Sequence, residues 1–264
     1  MLDKRMSRRA FMMDLGKGGL AVAVFGMGVV ACTSEDPASP STTATETTPT
    51  SESISPTTVT PTSESGPDPV TWERVSLGFV SAYVLARNGE AVIVDTGVAG
   101  SEGSIAEGLS ALGLGWGDVG HVIITHLHSD HQGSLPAVLG LAPDAIGYAG
   151  AEDIPGISSP RELVAVGDGD RVFDLQIIAT PGHTPGHISI LDDRGTGLLV
   201  AGDALNGSDG GVSGVNPDFT DDIVTADESI AKLARFTYQT AVFGHGEPVL
   251  VDASGQVAAL AASL

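Results

Sequence analysis

The sequence predicts a layered α/β domain behind a long non-globular N-terminus, and three observations carry that reading. Strand-length apolar runs recur from Val70 onward, each closed by a polar or glycine-rich turn. Segments with apolar residues at helical spacing lie between some of those runs. Residues 33–69 contain almost no apolar side chains, so they cannot offset the entropy of ordering and lie outside any core.

The N-terminus begins with the basic stretch "KRMSRRAFMM" and continues into an apolar run from Leu20 to Val30. That run is about half of the roughly 20 residues needed to cross a bilayer, so it reads as an export signal. Its end, "VVAC", resembles a lipoprotein signal, in which small or aliphatic residues precede the cysteine that takes the lipid. "SRRAF" resembles the twin-arginine export motif, with Arg8 and Arg9 as the pair, although Met13 stands where a lysine is often found. The expectation is a removed signal over 1–31 and a lipid on Cys32 that anchors the chain to the outer face of the cytoplasmic membrane; an uncleaved anchor is the alternative. The Ser/Thr/Pro stretch that follows predicts a disordered tether, so that 32–69 is lipidated cysteine plus tether, spanning roughly 35 Å.

From Val70 the strand candidates are "SAYVLARNG", "AVIVDTG", "HVIITHLH", "AIGYAG", "LQIIATPGH", "ISILDDRG", "GLLVAGD" and "TAVFGHGE". "SEGSIAEGLSALGL" places Ile105, Leu109 and Leu112 on one helical face. "ADESIAKLARF" does the same with Ile230, Leu233 and Ala234, with Asp227 as its expected cap. The glycine-rich stretch 206–222 reads as a long surface loop, with a lid over a site as the alternative. Tyr148, in "IGYAGAED", reads as a core residue rather than one facing a substrate.

The formal net charge is −21, which repels phosphate backbones and excludes nucleic acid as the expected partner. The one cysteine, Cys32, excludes an intrachain disulfide, so stability must come from a core.

The chemistry concentrates where strands end. "THLHSDHQGS", residues 125–134, packs three of the seven histidines and an aspartate into one turn. His183 follows "IIATPG", Asp203 follows "LLVAG" and His245 follows "AVFG". Imidazole and carboxylate suit zinc and similar first-row ions. His126, His128, Asp130, His131, His183, Asp203 and His245 exceed what one catalytic zinc requires and suit two ions sharing a carboxylate.

"HLHSDH" matches the H-x-H-x-D-H motif of the metallo-β-lactamase superfamily. "TPGHTPGH", "AGDAL" and "FGHGEP" resemble its later motifs in the same order, and "VIVDTG" its early strand-turn segment, so the resemblance covers about 70–264. It implies a single-domain, four-layer αββα sandwich over those residues. It puts His126, His128 and His183 on one metal, Asp130, His131 and His245 on a second, and Asp203 between them. His121 and His187 fall outside that set. His187 is expected to pack or to orient the His183 loop, and Asp95 to be a turn residue or a partner behind a ligand.

Two such ions, zinc first with iron or manganese as alternatives, bring a shared water's pKa toward neutrality, so hydroxide can attack a carbonyl or phosphoryl centre. Asp130 would bind metal and orient that nucleophile. Departures from named branches narrow the substrate. Zinc β-lactamases lack the bridging aspartate that Asp203 supplies. Quorum-sensing lactonases place a tyrosine soon after it, where this chain has "DALNGSDGG". Glyoxalase II adds a helical glutathione-binding extension, which the 19 residues after His245 are not expected to provide. What remains is a small-molecule hydrolase, with a lactone, ester or thioester as the expected substrate. A mononuclear iron enzyme resembling persulfide dioxygenases and a non-catalytic metal-binding surface lipoprotein are the rival readings.

Overall fold

The computed structural model describes residues 68–264, and the signal, lipidation and tether expectations, Cys32 included, fall outside the described residues. Two β-sheets lie face to face, with helices on both outer sides. The first sheet has the order β1(Thr71–Ser76), β2(Ser81–Arg87), β3(Glu90–Val94), β4(Val119–Ile124), β5(Ile146–Gly150), β6(Val164–Val166). Its first three strands are antiparallel and the rest parallel. The second sheet contains β7(Arg171–Val172), β8(Leu175–Ala179), β9(Ile188–Asp192), β10(Leu198–Val200) and β13(Thr240–Val242), in the order β13-β10-β9-β8-β7. A separate hairpin pairs β11(Asn206–Ser208) with β12(Gly211–Ser213). The helices are α1(Glu102–Ala111), α2(Ser129–Gln132), α3(Leu135–Leu141), α4(Ile223–Leu233) and α5(Ala253–Ala261).

The continuous apolar runs follow from this layering, because strands covered on both faces need no polar side. Successive side chains point to opposite faces, so each central strand serves two cores. In β2, β3 and β4, Val84, Ile93, Val122 and Ile124 pack with Ile105 and Leu109 of α1 and Leu135, Val138 and Leu139 of α3. Leu85, Val92, Val94 and Ile123 point the other way, against Leu175, Ile177, Ile188, Ile190, Leu198 and Val200 of the second sheet. The far face of that sheet presents Ile178, Leu191 and Leu199 to Ile230 and Leu233 of α4 and Val257 of α5. Three cores between four layers make the expected αββα sandwich.

Two expectations differ. The cap of α4 is Asp222, not Asp227: its carboxylate accepts from the Thr225 amide at 3.1 Å and the Thr225 hydroxyl at 2.8 Å, and Asp227 lies inside the helix. Residues 206–222 are not a shapeless loop either, since they form the β11–β12 hairpin and a 3-10 turn at Pro217–Phe219.

The sheets are tied beneath the site by Tyr83. Its buried hydroxyl donates to the Phe243 carbonyl at 2.7 Å and accepts from the Phe243 amide at 3.2 Å, fixing the backbone just before His245. Burial pushes the phenol up to about 12, so it stays a neutral donor.

Candidate metal centre

Four strand ends converge at one edge of the two sheets. The chain leaving β4 carries His126, His128, Asp130 and His131, and the single turn of α2 brings Asp130 and His131 round beside the first two. His183 follows β8, Asp203 follows β10, and His245 follows β13. His126, His131, His183 and Asp203 are buried, and His128, Asp130 and His245 are half-buried.

The donor atoms fall into overlapping groups: His126, His128 and His183; His126, His131 and Asp203; Asp130, His131 and His245. His128 Nδ1 lies 3.0 Å from His126 Nε2 and 2.9 Å from His183 Nε2. Asp203 Oδ2 is 3.4 Å from His183 Nε2 and 3.2 Å from His245 Nε2, while its Oδ1 is 3.4 Å from His131 Nε2. Asp130 Oδ2 is 3.4 Å from His245 Nε2 and 3.8 Å from His131 Nε2. Asp203 thus stands between the His183 and His126 side of the cluster and the His131 and His245 side.

The proton inventory of these rings fits a cation. His126 Nδ1 lies 3.0 Å from the Thr125 hydroxyl, and His131 Nδ1 lies 2.8 Å from Asp95 Oδ2. His183 Nδ1 lies 3.1 Å from the Thr220 hydroxyl, which itself donates to the Asn216 carbonyl, and His245 Nδ1 lies 2.7 Å from the Phe79 carbonyl. With the Nδ1 protons placed on those oxygens, all four Nε2 atoms turn lone pairs inward. At the first group a single proton on His128 Nδ1 is then all that remains for three converging nitrogens. His131 Nε2 and Asp203 Oδ1 are buried with no hydrogen-bond partner, a cost that a shared cation removes. At Gly244 a side chain would collide with the Asp203 carboxylate and the His131 ring, so that position must stay bare.

Without a cation the electrostatics are divided. Burial, then the neighbouring His131, holds His126 well below its ordinary value, and burial takes His183 down to about 4. Burial opposes charge on His131, but the Asp203 and Asp95 carboxylates overcome it and hold the ring well above its usual value. Burial likewise opposes charge on Asp203, and the surrounding histidines, His131 foremost, keep its carboxyl well below the carboxylate range.

Asp95 sits behind the candidate ligands. It accepts from the Thr125 amide and hydroxyl, each at 2.8 Å, as well as from His131, so one carboxylate orients His131 directly and His126 through Thr125. His187 is buried, 1% exposed. Its Nε2 accepts from the Asp203 amide at 3.0 Å, and its Nδ1 faces the Thr180 hydroxyl at 2.8 Å, which meets Ser189 Oγ at 3.0 Å. Ser189 in turn donates to the Ala201 carbonyl at 2.9 Å. This buried chain joins the start of the His183 loop, at Thr180, to the backbone of Asp203, and Gly202, at φ 58°, makes the turn that allows it. His121 lies apart, with its Nδ1 3.2 Å from the Tyr148 hydroxyl and its Nε2 3.6 Å from Glu90. Tyr148 packs partly buried against the intersheet core.

Asp153 is the residue that sequence reasoning missed. Fully buried, it accepts from the Leu127 amide at 2.9 Å, the Thr184 hydroxyl at 2.6 Å and the Gly186 amide at 2.7 Å, locking the His126–His128 loop to the His183 loop. It ends the stretch "IGYAGAED", but nothing local distinguishes it from a solvated aspartate.

A cavity of about 520 Å³ opens over His128, Asp130, His183, Asp203 and His245. The metallo-beta-lactamase superfamily profile matches residues 75–245, which hold every one of these groups. The probable metallo-hydrolase YflN of Bacillus subtilis is 32% identical over 202 residues, 60% of this chain and 76% of that protein. The uncharacterized protein YobT of the same organism is 31% identical over 150 residues, 48% of this chain and 62% of that one. A hydroxyacylglutathione hydrolase of Pseudomonas putida is 34% identical over 127 residues, 46% of this chain and 45% of that enzyme. The chain thus spans less than two thirds of the length of several curated relatives that it matches. The crystal structure of a metallo-beta-lactamase family protein from Thermus thermophilus aligns with a TM-score of 0.60 at 23% identity, covering 74% of this chain and 78% of that one, a likeness of fold. With its profile match spanning well over half of the sequence, the chain belongs to the metallo-beta-lactamase superfamily.

Proposed function

We propose that this protein is a metal-dependent hydrolase of small esters, lactones or thioesters. In this reading His126, His128 and His183 hold one divalent ion, Asp130, His131 and His245 hold a second, and the Asp203 carboxylate is shared. The observation that carries it is the pair of donor groups meeting at Asp203 on the floor of one cavity, with His131 Nε2 and Asp203 Oδ1 buried and otherwise unpartnered. Zinc is the first choice of ion, since the donors are imidazole and carboxylate.

When bound, two such ions supply a water-derived nucleophile near neutral pH and polarise a substrate carbonyl. The chain's own residues then position the reaction. Asp130, a quarter exposed where it lines the cavity, would accept a hydrogen bond from the nucleophile and hold it in line. His131 is fully buried and Asp203 nearly so, and they keep their geometry through Asp95 and His187.

Metal content of residues 33–264, purified without added metal, tests the reading together with turnover. Two zinc ions per chain and ester or thioester hydrolysis, both lost in Asp203→Ala while the fold is retained, are the expected results. Full activity in Asp203→Ala or His126→Ala overturns the two-ion centre, and one iron per chain replaces it with the oxygenase reading.

Anchoring belongs to the same proposal: a lipid on Cys32 holds the domain at the outer face of the cytoplasmic membrane. Among the described residues no helix is long and apolar enough to cross a membrane. Labelled palmitate incorporated into wild type and absent from Cys32→Ala is the expected result.

A further inference from the structure

Above the ligands the cavity wall consists of Ser129, Asn206, Asn216 and two phenylalanines, Phe79 and Phe219. None of the described residues lining it is lysine or arginine. Arg74, near the His245 loop, is committed elsewhere: its guanidinium bonds Glu247 at 2.7 Å, the Gly246 carbonyl at 2.9 Å and Ser81 Oγ at 3.0 Å. A carboxylate on the non-reacting part of a substrate would therefore lose water without gaining a cationic partner, and it would approach a chain of formal net charge −21.

The two aromatic rings are each 66% exposed yet line the same cavity, so together they make an apolar patch at its mouth rather than two scattered surface residues. Each is keyed to a ligand histidine. Phe79, in the turn between β1 and β2, stacks on His245 with ring centres 6.1 Å apart and planes 9° from parallel, while its carbonyl receives the His245 Nδ1 proton. Phe219 closes the 3-10 turn that begins after Asn216, whose side chain accepts from the Asp218 amide at 3.1 Å. The next residue, Thr220, holds His183. Asn206 directs its amide N–H to the Gly214 carbonyl at 3.0 Å, so its side-chain oxygen remains for an uncharged donor. The wall offers aromatic faces and neutral dipoles at fixed positions relative to the metal groups.

Resting on the hydrolase reading, we infer that the cavity selects uncharged substrates whose non-reacting arm is apolar, that Phe79 and Phe219 determine this specificity by packing against that arm, and that remote carboxylates are discriminated against. A glutathione thioester, with two free carboxylates, falls in the disfavoured class.

The test compares p-nitrophenyl hexanoate, p-nitrophenyl acetate and the mono-p-nitrophenyl ester of adipic acid on the zinc-loaded protein. At about fourfold per buried methylene, hexanoate should exceed acetate in kcat/KM by at least about tenfold. It should exceed the adipate monoester by a similar factor. Phe79→Ala and Phe219→Ala should each narrow the hexanoate-to-acetate ratio severalfold, chiefly through KM. Calorimetric affinities for hexanohydroxamate and for its ω-carboxylate analogue read the same preference without turnover. Equal handling of the neutral and carboxylate pair, or an undiminished ratio in the double phenylalanine variant, overturns the inference. Hydroxamate preference without hydrolysis of any ester removes the hydrolase reading and keeps the selectivity; hydrolysis without preference does the reverse.

Discussion

Asp95 adopts a left-handed backbone conformation, φ 60°, which costs a non-glycine residue on the order of 1 kcal/mol. The conformation aims both carboxylate oxygens at the loop that starts with Thr125. Asp95→Asn keeps the shape but offers one acceptor where three donors arrive, so His131 or Thr125 loses its partner. Metal affinity should fall about 10- to 100-fold with the fold intact, as read by competition with a chromophoric chelator. An affinity within about twofold of wild type would refute the orienting role. The histidines also set a pH dependence for the metal-free protein. Burial keeps His126 low and takes His183 to about 4 and His187 to about 3, so these rings stay neutral when folded and charge when unfolded. As pH falls below 6.5 the unfolded chain binds the extra protons and stability declines. His131 and His245 run the other way. The Asp203 hydrogen bond raises His245, and Asp203 with Asp95 raises His131 against its burial, so their contribution is full below 6.5 and drains away as pH rises. Urea midpoints of the metal-free protein should therefore peak near pH 6.5, and a midpoint that keeps rising down to about pH 4.5 would contradict this.

Among the elements, β4 does most to join core and site. Ile123 is fully buried between the sheets, and three residues later the same strand delivers His126. Ile123→Ala should cost about 3 to 4 kcal/mol in urea unfolding. Ile146→Ala on β5, where the residue is 46% exposed, should stay within about 0.5 kcal/mol of wild type. The strands were legible because apolar runs of that length with turn residues at their ends have few other uses. The α4 boundary was less legible, since Asp222 and Asp227 both precede residues at helical spacing and only the Thr225 amide identifies the cap. The hairpin at 206–213 carried a signal that the glycine content obscured: Asp-Gly, here Asp209-Gly210, is a dipeptide favoured in two-residue hairpin loops, and Gly210 takes the positive φ of 82° that its loop needs.

Across the whole molecule the proposed ligands come from both sheets. The first supplies His126, His128, Asp130 and His131, and the second supplies His183, Asp203 and His245. A bound ion pair would then staple the sheets at their edge, and because the unfolded chain lacks the site, binding adds directly to stability. Zinc-loaded protein should melt above the chelated form by about 4 kcal/mol equivalent for each ion whose Kd lies a thousandfold below free zinc, measured by calorimetry with and without chelator. Coincident melting would show that no ion is held.

The sequence by itself determined the α/β class, the strand runs and the seven candidate ligands, because burial on both faces and metal chemistry each restrict residue type at the position concerned. The family motifs then implied which candidates share an ion. The tertiary structure decided what stands behind those ligands. Asp95 reaches His131 across 36 positions, Asp153 reaches Gly186 across 33, and His187 reaches Asp203 across 16. A carboxylate or imidazole that acts through such a contact looks locally like any solvated residue, and only the packing of the two sheets brings its partner within hydrogen-bond distance. The same packing set Phe79 and Phe219 beside one cavity, a relation between two loops that no local pattern encodes.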